Sequence, residues 1–404
     1  MHRKLWNKDY ILALQGNAVS TIGDLMYSVA IGYWVYAQTG SNALFGIMSS
    51  ISMFVTTFLS PFCGSIVDKL NRKWLIVLID IIQGLFMLGI GVLAYMNALN
   101  IPAVLVVAFI AAFGSVFYSP ALSTIMLDII PRDDIVRGQS LHSSVNATIN
   151  LVGTAFSGAM VAFFGVPLIV MINGLSNLYA AVSEMFITIP KTPQEGEKVT
   201  VRGILHDFKE ALTDVFIDPC LRVLIPSMVI LNFLGAGPST LMLPFCAEKG
   251  FSLELYGYAM AIESIGYLVG AVVLGSVKFK PKTRYGIMSI CFCLSTAFFV
   301  SAYFSSSYGM LCVFMFLGSL CNCAGNTVLS ASLMLALPEK NRGAILGLVS
   351  AACTGGCALS AVVYGLLGDV FPLYLVFSAG GVISLIPMIY VCFHKQIKEF
   401  VCNN

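Results

Sequence analysis

Residues 74 to 96 and 372 to 393 are each roughly 20 residues of nearly unbroken apolar chain carrying at most one charge, enough as helix to cross a hydrocarbon core of about 30 Å. No feature restricts the fold more. In lipid every backbone N–H and C=O must find its partner inside the protein, which leaves only helices and closed barrels. The period-two alternation of a barrel strand is missing, so helices remain. The rest of the chain agrees: 58% of it is hydrophobic and only 10% charged, against about a quarter charged in a soluble domain.

Polar punctuation cuts the chain into spans at about 10–37, 42–68, 74–96, 101–128, 139–164 and 167–189, then 221–247, 253–278, 285–304, 308–336, 344–368 and 372–393. The expected fold class is therefore an all-α membrane protein of twelve transmembrane helices in two pseudo-symmetric six-helix bundles. The expected domains are an N-terminal bundle over 1–189, a cytoplasmic linker over 190–220 and a C-terminal bundle over 221–404. The linker carries an amphipathic pattern, Val201, Leu205, Phe208, Leu212, Val215 and Phe216, read either as an interfacial helix or as a solvated one. The basic start MHRKLWNKDY runs into a long apolar stretch with no clear cleavage site, so it reads as the first span, not a removed leader.

Charge orients these spans. With the N-terminus inside, every Lys and Arg except Lys249 falls on the cytoplasmic side, as positive-inside sorting demands. Both termini are then cytoplasmic, in a multi-pass protein of the cell membrane. The halves also echo one another: Arg137-Gly138 in PRDDIVRGQSL aligns with Arg342-Gly343 in PEKNRGAILG, and Pro167 with Pro372. Parallel repeats of this kind close two bundles around a midplane site and rock between them.

Several functions are excluded or disfavoured. A net charge of +2 with dispersed bases does not suit nucleic acid. No GxxxxGK[ST] loop is present, so ATP is not the direct energy source. No spaced triad or metal motif supports an enzyme, and no metal or cofactor is expected. The 12 cysteines lie mostly inside apolar runs and read as small packing residues.

The stretch GSIVDKLNRK, Gly64 to Lys73, concentrates charge between the second and third spans and fits GxxxDxxxRK. Here the chain resembles the major facilitator superfamily, with Gly64, Asp68, Arg72 and Lys73 at the positions of its signature loop. GDLMYSVAIGYWVYAQTGS, SPFCGSIVDKLNRKWLIVLID and SPALSTIMLDIIP together are similar to the drug:proton antiporter group that contains macrolide-efflux permeases and the enterobactin exporter. The resemblance implies the major facilitator fold and an inner gate in which Arg72 meets Asp128; Asp80 and Glu184, about two turns from the cytoplasmic side, read by their depth as part of the same network with Arg137 as partner. In the second half Phe279 replaces the signature aspartate, and in the fifth span Thr154 stands where many drug antiporters carry proline.

An ionisable side chain in hydrocarbon is a functional candidate by default. Asp24 and Glu263 lie far from any cytoplasmic end and are the candidates for proton coupling or substrate contact. Removal from water favours the neutral form of a carboxyl group, so either can take up a proton and release it when hydrated. Asn17, Thr21, Asp24 and Ser28 form a polar stripe on the first span; Tyr256, Met260, Glu263 and Tyr267 form another on the eighth. Asn17, Asn146, Asn150, Asn232, Tyr267 and Asn326 are the candidate cavity-lining residues, with helix-to-helix bonding as the alternative for each amide. His142, within a turn of the inner loop, reads as a gate or surface residue.

No Lys or Arg stands mid-span, which argues against multiply charged anions as substrate. The resemblance to drug:proton antiporters implies a secondary transporter that exports amphipathic neutral or cationic small molecules against protons, and since a two-bundle fold needs only one chain, a monomer is expected. Two alternatives stay open: a lysophospholipid flippase of the same fold, and a non-transporting membrane sensor or assembly factor.

Overall fold

The computed structural model describes residues 5–67, 70–131, 134–189, 213, 221–276, 281–336 and 342–393. They form an all-helical chain: α1 Lys8–Thr39, α2 Asn42–Val67, α3 Arg72–Tyr95, α4 Ile101–Ile129, α5 Ile135–Met185, α6 Leu221–Thr240, α7 Met242–Glu248, α8 Leu253–Ser276, α9 Pro281–Phe304, α10 Tyr308–Ala336, α11 Arg342–Val370 and α12 Leu373–Phe393. The amphipathic pattern expected over 201–216 and the residues Asp68 and Phe279 lie outside the described residues.

Starts and stops follow local chemistry. Asn7, Asn71 and Asn100 each turn a side-chain oxygen onto an N–H of the first turn of α1, α3 and α4, satisfying one of the orphan donors there. Gly40 closes α1 at φ 61, a left-handed cap that suits glycine. Every Lys and Arg within the described helices lies in a first turn: Lys8, Arg72, Lys73, Arg137, Arg222, Lys282, Arg284 and Arg342.

Nine described helical segments are long and apolar enough to cross a membrane. Neither α1 nor the part of α5 before Phe156 is among them, because polar stripes dilute their apolar character. The fifth and sixth spans, both within α5, are two helices that part at Gly165, whose φ of 75 and ψ of 160 reverse the chain between them, where the cut between 164 and 167 was expected. One boundary differs from the sequence expectation. Span seven is instead broken into α6 and α7, since Pro244 has no N–H to offer the Thr240 carbonyl. Gly165→Leu places a side chain in a backbone region essentially confined to glycine and is expected to cost about 1–3 kcal/mol, read as a lower melting temperature of the full chain in detergent.

Contacts divide the chain into two compact units: Met1–Gly40 with Ile51–Ile204, and Ser41–Ser50 with Leu205–Asn404. The assignment of Ser41–Ser50 to the second unit departs from the expected cut after residue 189. In the first unit Tyr10, Ile76, Ile125 and Ile129 centre the core. In the second, Leu224, Met288 and Ile345 pack together, beside an aromatic group of Phe245, Tyr303 and Phe377.

Candidate functional site

The second unit contains an open cavity of about 410 Å³ among α6, α8, α9, α10 and α12, a size within the range of roughly 300–1,000 Å³ for small-molecule sites. Glu263 of α8 reaches it, together with Asn232 of α6 and Asn322 and Asn326 of α10; Phe299 and Tyr303 give it an aromatic side and Met228, Met315 and Met388 an adaptable one. Its polar groups are set by their helices. Asn326 Nδ2 donates to Asn322 Oδ1 at 2.7 Å, and Asn232 Nδ2 donates to the Met228 carbonyl at 2.9 Å. No lining residue is basic.

Glu263 is held in place by its backbone. Ser319 Oγ of α10 donates to the Glu263 carbonyl at 2.7 Å, and one turn on, Gly266 brings α8 so close to α10 that a Cβ there would strike Ser319 Oγ and the Phe316 carbonyl. Tyr267, expected in the cavity, is instead 47% exposed and is not among its lining residues. The two tyrosines of the eighth-span stripe thus diverge in surroundings, with Tyr256 electrostatically close to Glu263.

In the first unit α1 and the second half of α5 run antiparallel, with Gly16 against Ala180 and Ser183, and Gly23 against Asn173 and Ser176. That approach sets the Asp24 carboxyl electrostatically near Asn173 and Asn177, while Asn177 Nδ2 donates to Asn173 Oδ1 at 3.0 Å. Asp24 itself is exposed. Gly23→Val would drive a branched side chain into Ser176 and Asn173; the expected loss is about 1–3 kcal/mol of stability.

The other expected residues separate into three groups. Arg72 Nη1 lies 3.4 Å from Asp128 Oδ2, with both side chains 18% exposed, while Lys73 Nζ sits 5.9 Å above the Trp74 ring and Gly64 is within α2. Asn17 and Asn146 are joined through His142, whose Nε2 lies 3.2 Å from Asn17 Oδ1 and from Asn146 Nδ2. His142 is therefore a partly buried bridge, contrary to its reading as a gate or surface residue. Asn150 is exposed and bonds back to its own helix at the Asn146 carbonyl.

Asp80 and Glu184 are buried at 3% and 0% exposure, whereas Arg137, their expected partner, is exposed. Glu184 Oε1 accepts from the Tyr118 hydroxyl at 2.7 Å. Sequence reasoning passed over Tyr118, Asn173 and Asn177; the signal was there in Asn173, Asn177 and Glu184, which share one face of the sixth span at helical spacing. It also passed over Asp369, whose carboxylate accepts from the Asn42 N–H at 2.6 Å and the Ser41 hydroxyl at 2.8 Å.

An all-helical membrane chain with a cavity of small-molecule size and buried acids within its spans has the features of a polytopic transporter. The chain belongs to the Major Facilitator Superfamily, whose family model matches residues 14–245 and 227–399; it is a family of transporters, not enzymes. Macrolide efflux protein A of Streptococcus pyogenes is 23% identical over 186 residues, 46% of either chain. The putative bacilysin exporter BacE of Bacillus subtilis is 27% identical over 218 residues, covering 52% of this chain and 51% of that protein. The chain thus matches about half the length of these curated relatives. A crystal structure of nucleoside transporter NupG superposes with a TM-score of 0.71 at 15% identity, covering 94% of this chain and 98% of that one, a likeness of fold alone.

Proposed function

We propose that the protein is a proton-coupled exporter of amphipathic neutral or cationic small molecules, working by alternating access in the cell membrane with both termini in the cytoplasm. The observation that carries the reading is the cavity of the second unit. It offers aromatic and thioether surface, three amides and one carboxyl group, and no basic side chain. An amphipathic cation gains apolar burial from the Phe, Tyr and Met walls and a counter-charge from Glu263. A proton on Glu263 removes that counter-charge, so proton and cation compete for one carboxylate, which is what antiport requires. The partial similarity to two proteins named for macrolide efflux and bacilysin export supports the outward direction. The Arg72–Asp128 pair serves as an inner gate contact in this scheme.

The test is proton movement in proteoliposomes of the full chain, read with a pH-sensitive dye while amphipathic cations and macrolide-like compounds are added one at a time. Proton flux that depends on a compound supports the exchange. No flux with any compound, alongside protein-dependent movement of a labelled lysophospholipid, overturns it in favour of lipid transport.

A further inference from the structure

Asp80 on α3 and Glu184 on α5 lie in the interior of the first unit, 3% and 0% exposed. Their helices are brought together by paired glycines: a Cβ on Gly84 would meet the Gly174 carbonyl, and one on Gly174 the Gly84 carbonyl, each at 2.9 Å. The two helices run antiparallel through that crossing, with Gly91 against Met171 at one end, so Asp80, a turn before Gly84, is carried toward Glu184. The two carboxyl groups act on one another electrostatically.

Their bonding is incomplete in a particular way. Tyr118 satisfies Glu184 Oε1, but Glu184 Oε2 and Asp80 Oδ2 are both buried without any hydrogen-bond partner. An acceptor left bare out of water costs about 1–3 kcal/mol, more when charged. The titratable groups turned toward the pair are Asp24 on α1 and Tyr118 on α4, with Tyr27 beside Asp24 and His142 on α5 linked to Tyr118 through Asn17. None is a Lys or Arg, and Arg137 at the start of α5 is exposed. Two neighbouring carboxylates with no cation beside them do not both stay ionised. A single proton between them supplies the missing donor and halves the charge. Among the described residues no three His, Cys, Asp or Glu side chains are placed to hold a metal ion, which favours a proton over a divalent cation.

We propose that Asp80 and Glu184 together bind one proton, forming a proton site inside the first unit that is separate from Asp24 and Glu263. Its use in transport rests on the exchange reading above; its existence does not. The proton is held while the pair is dry and passes to water only when water reaches Asp80 Oδ2 or Glu184 Oε2, leaving two carboxylates.

Infrared spectroscopy of the purified full chain at neutral pH tests this through the C=O stretch of protonated carboxyl groups. Asp80→Asn and Glu184→Gln each replace the shared proton with an amide N–H, so both variants should fold, and each should lose the same single protonated-carboxyl band. The Asp24→Asn and Glu263→Gln variants should keep it. Full retention of the band in either Asp80→Asn or Glu184→Gln overturns the proposal, as does loss of two different bands. Loss of the wild-type band on adding calcium at constant pH assigns the pair to a metal instead and overturns it as well. Proteoliposomes separate the two readings: a band that behaves as expected with no compound-driven proton flux leaves the pair standing and removes the exchange, and the converse result does the opposite.

Discussion

Glu263→Gln is expected to lower compound-driven proton flux at least about tenfold, the loss that corresponds to roughly 1.4 kcal/mol, while the protein folds and keeps its affinity for neutral amphiphiles. The amide has nearly the shape of the carboxyl group it replaces. What keeps α8 in place is its backbone, through Ser319 and the close approach at Gly266, and neither is altered. What changes is that the cavity wall loses its one acid. A cationic amphiphile then has no counter-charge in a confined, low-dielectric site, where an unpaired charge is costly. Binding of matched cationic and neutral compounds by calorimetry, together with the flux assay, gives the result. Equal loss for neutral and cationic ligands would mean that Glu263 only shapes the cavity, and unchanged flux in Glu263→Gln with loss in Asp24→Asn would move the coupling role to α1.

The second large effect is expected at the start of α2. Asp369 stands in the last turn of α11, where the helix dipole disfavours an anion, yet its carboxylate accepts from Asn42 N–H at 2.6 Å, Ala43 N–H at 3.3 Å and Ser41 Oγ at 2.8 Å. It caps α2 from another helix. The backbones are close there too, since a Cβ on Gly46 would run into the Ala361 carbonyl. Asp369→Ala strips the cap at a cost of about 1 kcal/mol, and Gly46→Val adds overpacking of about 1–3 kcal/mol. The expected result is faster hydrogen–deuterium exchange at Ser41–Ser50 in Asp369→Ala, increasing further in the double variant, with a lower melting temperature. Unchanged exchange across Ser41–Ser50 would show that other contacts hold the segment.

The two effects differ in how far sequence alone could foresee them. Glu263 was legible because a single acid in a long apolar run has no cheap explanation, and Asp24 for the same reason. The helices were legible from apolar runs closed by polar punctuation, which is a local signal. Asp369 was not, because it lies at a helix end, where an acid is ordinary; its role exists only once residues far along the chain are brought to it. The Asp80–Glu184 pair was hidden in the same way, each residue looking like part of a gate near the inner surface until α3 and α5 were seen to cross at Gly84 and Gly174. The break between α6 and α7 was available in principle from Pro244, but hydrophobicity continues through it and outweighed the missing N–H in the reading. Tyr267 fell on the expected stripe, yet helical spacing does not say which edge of a stripe turns inward.

The restriction of Lys and Arg to the first turns of the described helices has an electrical consequence. A basic side chain fixed within the membrane would be driven by the transmembrane voltage at about 2.3 kcal/mol per charge per 100 mV whenever it changed depth. Within the described helices the carboxyl groups are left to feel that field, and an acid holding its proton carries no charge through it. In the proposed exchange, the swap of one proton for one monovalent cation would pass no net current.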